Sequence, residues 1–228
     1  MRLVVLVAAT ALLAGCSQTI TGRPEEPTTG ATSSSTTEPT PSTQVPSSTR
    51  ANPADPPTAG APVAAVIAWV ETGRRVDASA FHTASRGEDT TDLGEDIAFT
   101  AGTTRCMTAA HYAENTLVCL VDLADPPPKP EAVYGEWKPG WIDYDGASLQ
   151  VGSVHGDPGP FGKGDGAALP DGQTLAFGDY RCRTAPAGVF CVDYAHQSAV
   201  RLAPDGVDAF GCLQSVPAPE GVGVKYAC

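Results

Sequence analysis

The chain has 228 residues and a formal net charge of −12, from 26 acidic and 14 basic residues. A surface with this charge repels nucleic acid and anionic lipid head groups, so we exclude nucleic acid as a partner. The length suits one ordinary domain with accessory segments.

The first residues are typical of an export signal. Arg2 supplies a positive charge, and the apolar run Leu3 to Leu13 is shorter than the roughly 20 residues that a membrane-spanning helix needs. The run ends in Leu13-Ala14-Gly15-Cys16, which resembles the lipobox of bacterial lipoproteins. We therefore predict a signal peptide over 1–15 and a lipid on Cys16 that anchors the protein to the outer face of the cell membrane. The alternative is an ordinary secretory signal followed by a chance cysteine.

The next segment has a different composition from the rest of the chain. Residues 16–61 are rich in Ser, Thr and Pro and contain no aromatic residue. Such a segment buries too little apolar surface to offset the entropy lost on ordering. We predict a disordered linker here, followed by a globular domain over 62–228.

The cysteine count agrees with an exported protein. Assigning Cys16 to lipid leaves six cysteines, an even number that suits disulfides in an oxidising compartment. Six cysteines allow 15 connectivities, of which we favour the nearest-neighbour set. The favoured pairs are Cys106–Cys119, Cys182–Cys191 and Cys212–Cys228. No C-x₂-C spacing supports a zinc site as the competing use.

The domain begins with one helical pattern and continues with short β-type runs. Val63, Val66, Ile67 and Val70 form one apolar helical face after Pro62, and Gly73 marks its end, with Arg74 and Arg75 near the negative pole. Later runs alternate apolar and polar residues between turn signals. The prolines of residues 125–130 predict a stiff surface connection. Strands are predicted over 96–100, 104–108, 117–123, 140–144, 148–154, 174–177, 180–183, 188–193 and 199–202.

These patterns predict a mainly β (α+β) fold: a compact, disulfide-stapled antiparallel β domain with one short N-terminal helix packed on it. Residues 180–183 and 188–193 form the clearest unit. With residues 184–188 between them, the two strands predict a hairpin in which Cys182 faces Cys191, at a separation that a disulfide can bridge.

The layout from residue 63 to residue 211 is similar to a domain of unknown function in exported lipoproteins of actinobacteria, especially mycobacteria. That resemblance implies a lipobox, a spacer, a compact β-rich domain and membrane attachment, and it implies no established reaction. The pair Cys212 and Cys228 departs from the pattern. The residues that carry the resemblance are Ile97-Ala98-Phe99, Cys106, Cys119, Trp137 with Trp141, Leu169-Pro170, Gly178-Asp179-Tyr180-Arg181-Cys182, Gly188-Val189-Phe190-Cys191 and Ser198 to Leu202.

No catalytic, cofactor or metal site is predicted. The four histidines show no H-E-x-x-H spacing, and the chain contains no G-x-S-x-G nucleophile motif. Asp157, Asp165 and Asp171 lie in a Gly- and Pro-rich loop that could gather round calcium. Their spacing matches no EF-hand, however, and Asp, Gly and Pro are also ordinary turn residues.

Tyr134, Trp137 and Trp141 belong to the densest aromatic cluster. Exposed aromatic rings of this kind stack on sugars or anchor a protein partner, which makes these three residues a candidate binding surface. The alternative is that they build the core of a domain with few other large side chains.

The sequence therefore favours a membrane-anchored envelope lipoprotein that acts as a non-catalytic binding module. Candidate ligands are an envelope protein, a glycan or a lipid. The alternatives are an unrecognised envelope enzyme, such as a glycan hydrolase, and a structural surface module.

Overall fold

A computed structural model describes residues 55–131 and 133–228. The predicted signal peptide, Cys16 and the predicted linker up to residue 54 lie outside the described residues. The described chain is mostly β-strand with one α-helix, which confirms the predicted fold class. Its elements are α1 (Val63–Glu71), two short 3₁₀ helices (Ala78–Phe81 and Gly159–Lys163) and the strands β1 (Arg74–Arg75), β2 (Thr83–Arg86), β3 (Asp89–Asp92), β4 (Ala98–Ala101), β5 (Thr104–Ala109), β6 (Ala113–Leu120), β7 (Glu136–Tyr144), β8 (Ser148–His155), β9 (Asp165–Ala168), β10 (Gln173–Phe177), β11 (Tyr180–Ala185), β12 (Gly188–Asp193), β13 (Ser198–Ala203), β14 (Gly206–Phe210), β15 (Gln214–Val216) and β16 (Val222–Ala227).

The strands form two sheets. The six-stranded sheet has the order β1-β10-β11-β12-β13-β14, and the ten-stranded sheet has the order β15-β16-β8-β7-β6-β5-β4-β9-β2-β3. Neighbouring strands run antiparallel except for the pairs β1–β10 and β4–β9, which are parallel. Most connections are short turns, so the predicted antiparallel arrangement is confirmed.

The main core lies between the inner faces of the two sheets. Leu117, Cys119 and Ile142 of the ten-stranded sheet belong to the same buried cluster as Leu175 and Val200 of the six-stranded sheet. Because side chains alternate across a strand, the residues next to these point to the outer faces. Other elements must therefore bury the apolar side chains on each outer face.

Helix α1 covers the outer face of the six-stranded sheet. Val66 and Val70 are fully buried and pack with Phe190, whose ring centroid lies 4.8 Å from that of Trp69. The predicted helix is therefore confirmed, and it ends at Glu71, two residues before the glycine that was expected to mark its end. Gly73 has another role, because a Cβ atom there would lie 2.0 Å from the Thr174 hydroxyl oxygen on β10.

The arginines predicted to stabilise the end of the helix do not lie there. Arg74 and Arg75 form strand β1 and pair with β10. Arg183 of β11 takes their place: its Nη1 donates to the Trp69 carbonyl oxygen (2.5 Å), and its guanidinium carbon lies 3.8 Å from the centre of the Trp69 ring. Sequence position alone could not reveal this, since Arg183 lies 114 residues further along the chain.

The 3₁₀ helix Gly159–Lys163 covers the outer face of the ten-stranded sheet, where Ala84 of β2, a strand of the same sheet, is also buried. Trp141, Met107 and Val118 form a second outer cluster there with Phe161. The loop 155–171 was expected to consist of turns, but it contains this 3₁₀ helix and strand β9. The Pro-rich segment 125–130 lies on the surface between β6 and β7, as predicted.

The six cysteines form the three pairs favoured from their spacing. Cys106 faces Cys119 across β5 and β6, and Cys182 faces Cys191 across β11 and β12. Each of these two disulfides therefore links adjacent strands of a single sheet. Cys212–Cys228 has a different position, because it lies outside the strands and closes the end of the β15–β16 hairpin, where Cys212 precedes β15 and Cys228 follows β16.

Candidate functional site

A cleft of about 440 Å³ opens where turns from both sheets meet at one end of the domain. The ten-stranded sheet contributes the segment before β4 and the turns after β5 and β7. The six-stranded sheet contributes the β10–β11 and β12–β13 turns. The cleft is large enough for one or two side chains of a partner or for a small ligand.

Acidic side chains dominate the polar lining of this cleft. The carboxylates are Glu95, Asp96, Asp145, Asp179 and Asp193, and the lining also contains His196. Among the described residues, no lysine or arginine lines it. The local electrostatic potential is therefore negative, which favours a positively charged ligand.

Hydrogen bonds to nearby turns hold three of the carboxylates in place. Asp96 accepts from the Ala110 amide (3.0 Å), and Asp145 accepts from the Ser148 amide (2.6 Å). Asp193 accepts from the His196 amide (2.8 Å), and its side chain is only 4 % exposed. Aspartate favours such positions because its short side chain can bond to the backbone a few residues away.

The other two carboxylates lie at the rim. Glu95 and Asp179 are exposed, and neither side chain makes a hydrogen bond or an ion pair to any part of the chain that the structure describes. Both charges are available to a ligand without breaking an internal contact. A substitution at either position should therefore leave the fold intact.

Two aromatic rings line the cleft between these carboxylates. Phe177 and Tyr180 stack with their ring centroids 5.5 Å apart. The Tyr180 hydroxyl, on the six-stranded sheet, lies 2.8 Å from the Asn115 carbonyl oxygen and 3.0 Å from that of Tyr144, to which it donates. Both acceptors belong to the ten-stranded sheet, so this side chain ties the two sheets together beside the cleft.

A second polar bridge joins the sheets close to the cleft. The Ser198 hydroxyl of β13 donates to the Gly146 carbonyl oxygen (2.5 Å), and the Tyr144 hydroxyl lies 2.7 Å from the Ser198 oxygen. Burial raises the pKa of the Tyr144 and Tyr180 hydroxyls well above their usual range. Both therefore remain neutral hydrogen-bond donors, and the cleft is built on a rigid support.

The lining offers little for covalent or metal chemistry. It contains no serine or cysteine, and the hydroxyl of Thr108 donates to Asp96 (3.1 Å). Within residues 55–131 and 133–228, no group of three or more His, Cys, Asp or Glu side chains is placed to hold a metal ion. Among those same residues, no helix has the length and apolar character needed to cross a membrane.

The three aromatic residues singled out from the sequence lie away from the cleft. Trp141 is 1 % exposed and belongs to the outer cluster of the ten-stranded sheet, so it is a core residue rather than part of a surface. Trp137 is half-buried, and its Nε1 donates to the Pro127 carbonyl oxygen (3.2 Å). Tyr134 is 98 % exposed. A binding surface here would depend on Tyr134 and the edge of Trp137.

His155, for which no site role was predicted, packs on Trp141. The ring centroids of His155 and Trp141 lie 3.8 Å apart, and the Tyr112 hydroxyl is 3.1 Å from His155 Nδ1. Burial, and then Lys138, lower the pKa of His155, so its neutral form is favoured. The Trp141 indole donates to Asp143 (3.0 Å), whose own pKa is raised by burial.

Comparison with known proteins gives no match to a protein family, a curated protein or a solved structure. The likeness to exported actinobacterial lipoproteins therefore stays a prediction from the sequence.

Proposed function

We propose that this protein is a non-catalytic binding module of the cell envelope, tethered to the membrane by lipid on Cys16, and that its ligand carries positive charge. The observation that carries the proposal is the cleft between the sheets, with its five carboxylates and two aromatic rings. The lipobox and the three disulfides support an extracytoplasmic position.

The chemistry of the cleft selects the class of ligand. Carboxylates attract ammonium and guanidinium groups, and an aromatic face adds a further attraction for such cations. Anionic lipid head groups and acidic glycans would be repelled by the same charges. A protein segment that presents Arg or Lys side chains fits both the charge and the volume.

The geometry favours binding over catalysis. Asp96, Asp145 and Asp193 each use a carboxylate oxygen to fix a turn, and His196 Nδ1 lies 3.0 Å from Asp193. A serine- or cysteine-type mechanism needs an activated hydroxyl or thiol beside such a histidine, and the described lining contains neither serine nor cysteine. The residues around the cleft supply rigid charges, which suit recognition.

Calorimetry with a charged peptide and its neutral counterpart tests the proposal. The full-length chain in nonionic detergent is titrated with tri-arginine amide and with tri-citrulline amide at low ionic strength. We expect the arginine peptide to bind and the citrulline peptide to bind far more weakly, because citrulline keeps the shape and loses the charge. Equal binding of the two peptides, or none by either, would contradict the proposal.

A double variant at the rim locates the binding site. Glu95→Gln with Asp179→Asn removes two exposed charges, each worth up to about 1 kcal/mol to a bound cation, so affinity should fall by up to about 30-fold. The matched control is Glu88→Gln with Asp171→Asn, which removes two exposed charges outside the cleft. The assignment of the binding site to the cleft is wrong if the control variant weakens binding as much as the rim variant.

The tether has a separate test. Cys16→Ser removes the predicted lipid attachment, and we expect the protein to move from the membrane fraction into the medium, while Ser17→Ala should leave it in the membrane. Membrane retention of the Cys16 variant would refute lipid anchoring.

A further inference from the structure

The disulfide Cys212–Cys228 differs from the other two in its exposure. Cys106, Cys119, Cys182 and Cys191 are at most 1 % exposed, whereas Cys212 and Cys228 both lie on the surface. A thiolate must approach a disulfide sulfur directly to attack it. In the folded protein, an outside thiol can therefore reach the Cys212–Cys228 bond far more readily than the two buried ones.

This exposed disulfide lies where the chain crosses from one sheet to the other. Cys212 lies between β14, an edge strand of the six-stranded sheet, and β15 of the ten-stranded sheet. Cys228 follows β16, which pairs with β15. The disulfide therefore closes the end of the β15–β16 hairpin beside the edge of the six-stranded sheet.

Each end of the exposed disulfide contacts a turn that carries a cleft carboxylate. The Cys228 amide donates to the Ala147 carbonyl oxygen (2.9 Å), in the turn after β7 that also holds Asp145. Next to Cys212, Gly211 adopts φ +80°, and a Cβ atom there would lie 2.4 Å from the Gln197 carbonyl oxygen in the β12–β13 turn. That second turn carries His196 and follows Asp193.

We propose that Cys212–Cys228 is a thiol-sensitive staple that sets the shape of the cleft, and that its reduction weakens binding of the cationic ligand. The inference rests on the proposed function and adds a mode of regulation to it. Without the disulfide, the two chain segments that contact the turns beside Asp145 and Asp193 are no longer held to each other by a covalent bond.

The reaction is an exchange with a dithiol reductant. One donor thiolate attacks either cysteine sulfur, the S–S bond breaks, and the other cysteine leaves as a thiolate that takes up a proton. The second donor thiolate then attacks the mixed disulfide and releases the remaining cysteine. The donor becomes a disulfide, and its two electrons reduce the protein disulfide to two thiols.

Timed reduction of the full-length protein tests the selectivity. Samples treated with dithiothreitol under native conditions are quenched with iodoacetamide and mapped by peptide mass spectrometry. We expect labels on Cys212 and Cys228 well before labels on Cys106, Cys119, Cys182 or Cys191. Labelling of all six cysteines at one rate would overturn the proposal.

Calorimetry with tri-arginine amide then tests the effect on the cleft. The selectively reduced protein, and the variant Cys212→Ser with Cys228→Ser, should each bind at least about fivefold more weakly than the oxidised protein, the lower end of ordinary coupling between sites. Hydrogen exchange at residues 145–147 and 194–197 should become faster in both, with the circular dichroism spectrum of the sheets retained. Equal affinity in oxidised and reduced protein would refute the staple and leave the proposed function standing. Absence of binding in the oxidised protein would refute both.

Discussion

The buried bridge between Tyr144, Ser198 and Gly146 yields a prediction about how the two sheets are held together. A carbonyl oxygen only accepts, so the Ser198 hydroxyl donates to Gly146 and the Tyr144 hydroxyl donates to Ser198. Ser198 is fully buried and Tyr144 is 1 % exposed. Ser198 is thus the middle group of a hydrogen-bond series in which each hydroxyl donates one bond.

Removing the central member should destabilise the fold more than removing the end member. Ser198→Ala leaves the Tyr144 hydroxyl and the Gly146 carbonyl oxygen buried and unpaired, at about 1–3 kcal/mol each, so we expect a loss of about 2–6 kcal/mol. Tyr144→Phe removes one bond and leaves the Ser198 donation to Gly146 intact. Its expected cost is about 1 kcal/mol.

Urea unfolding of the full-length protein with its disulfides oxidised measures both changes. The free energy of unfolding should decrease in the order wild type, Tyr144→Phe, Ser198→Ala, with an unchanged denaturant slope. Ser215→Ala, on the exposed edge strand β15, is the matched control and should stay within about 0.5 kcal/mol of wild type. A Ser198→Ala loss no larger than that of Tyr144→Phe would refute the reasoning.

The remaining predictions concern alkaline pH and the helix. The folded state keeps the Tyr144 and Tyr180 protons above the ordinary pKa of 10.0, where the unfolded chain loses them, so the free energy of unfolding should fall as pH rises past about 10. Denaturant titrations across that range check the sign, and a rise in stability would contradict it. Val66→Ala should cost about 2–3 kcal/mol because Val66 of α1 is fully buried against the six-stranded sheet, whereas Val63→Ala, at the half-buried start of α1, should cost less. Similar costs measured by urea unfolding would show that α1 does not pack on the sheet through Val66.

Much of the fold could be predicted because the central strands carry their own signal. The strand around Cys191 has an apolar residue at nearly every position, and both of its faces are buried, one in the main core and one under α1. The hairpin with Cys182 follows from local spacing. Central strands and their disulfides are therefore visible in the sequence.

Short strands toward the β3 edge of the ten-stranded sheet were missed for the opposite reason. Strand β3, Asp89–Asp92, consists of polar, mostly exposed residues, and β9 begins in a stretch of Gly and Asp typical of a turn. Such segments become strands because a neighbouring strand offers hydrogen-bond partners, as β4 does for β9. A short polar segment has no alternating apolar pattern, so its pairing with a distant strand cannot be detected from its own residues.

The cleft could not be predicted from the sequence. Glu95, Asp145 and Asp193 are far apart in the chain, and each is an ordinary turn residue in its local context. Their convergence depends on the packing of one sheet on the other. A useful signal would have been the repeated placement of an acidic residue at the end of a predicted strand, since several such ends meet on one side of a sandwich.

The most direct test of the central claim is to map where a cationic ligand binds. Amide chemical shifts of the full-length chain in nonionic detergent are followed during titration with tri-arginine amide. The account predicts the largest shifts at residues 95–97, 177–180 and 193–196, and none of comparable size with tri-citrulline amide. The largest shifts around Tyr134 and Trp137, with the cleft unchanged, would contradict it.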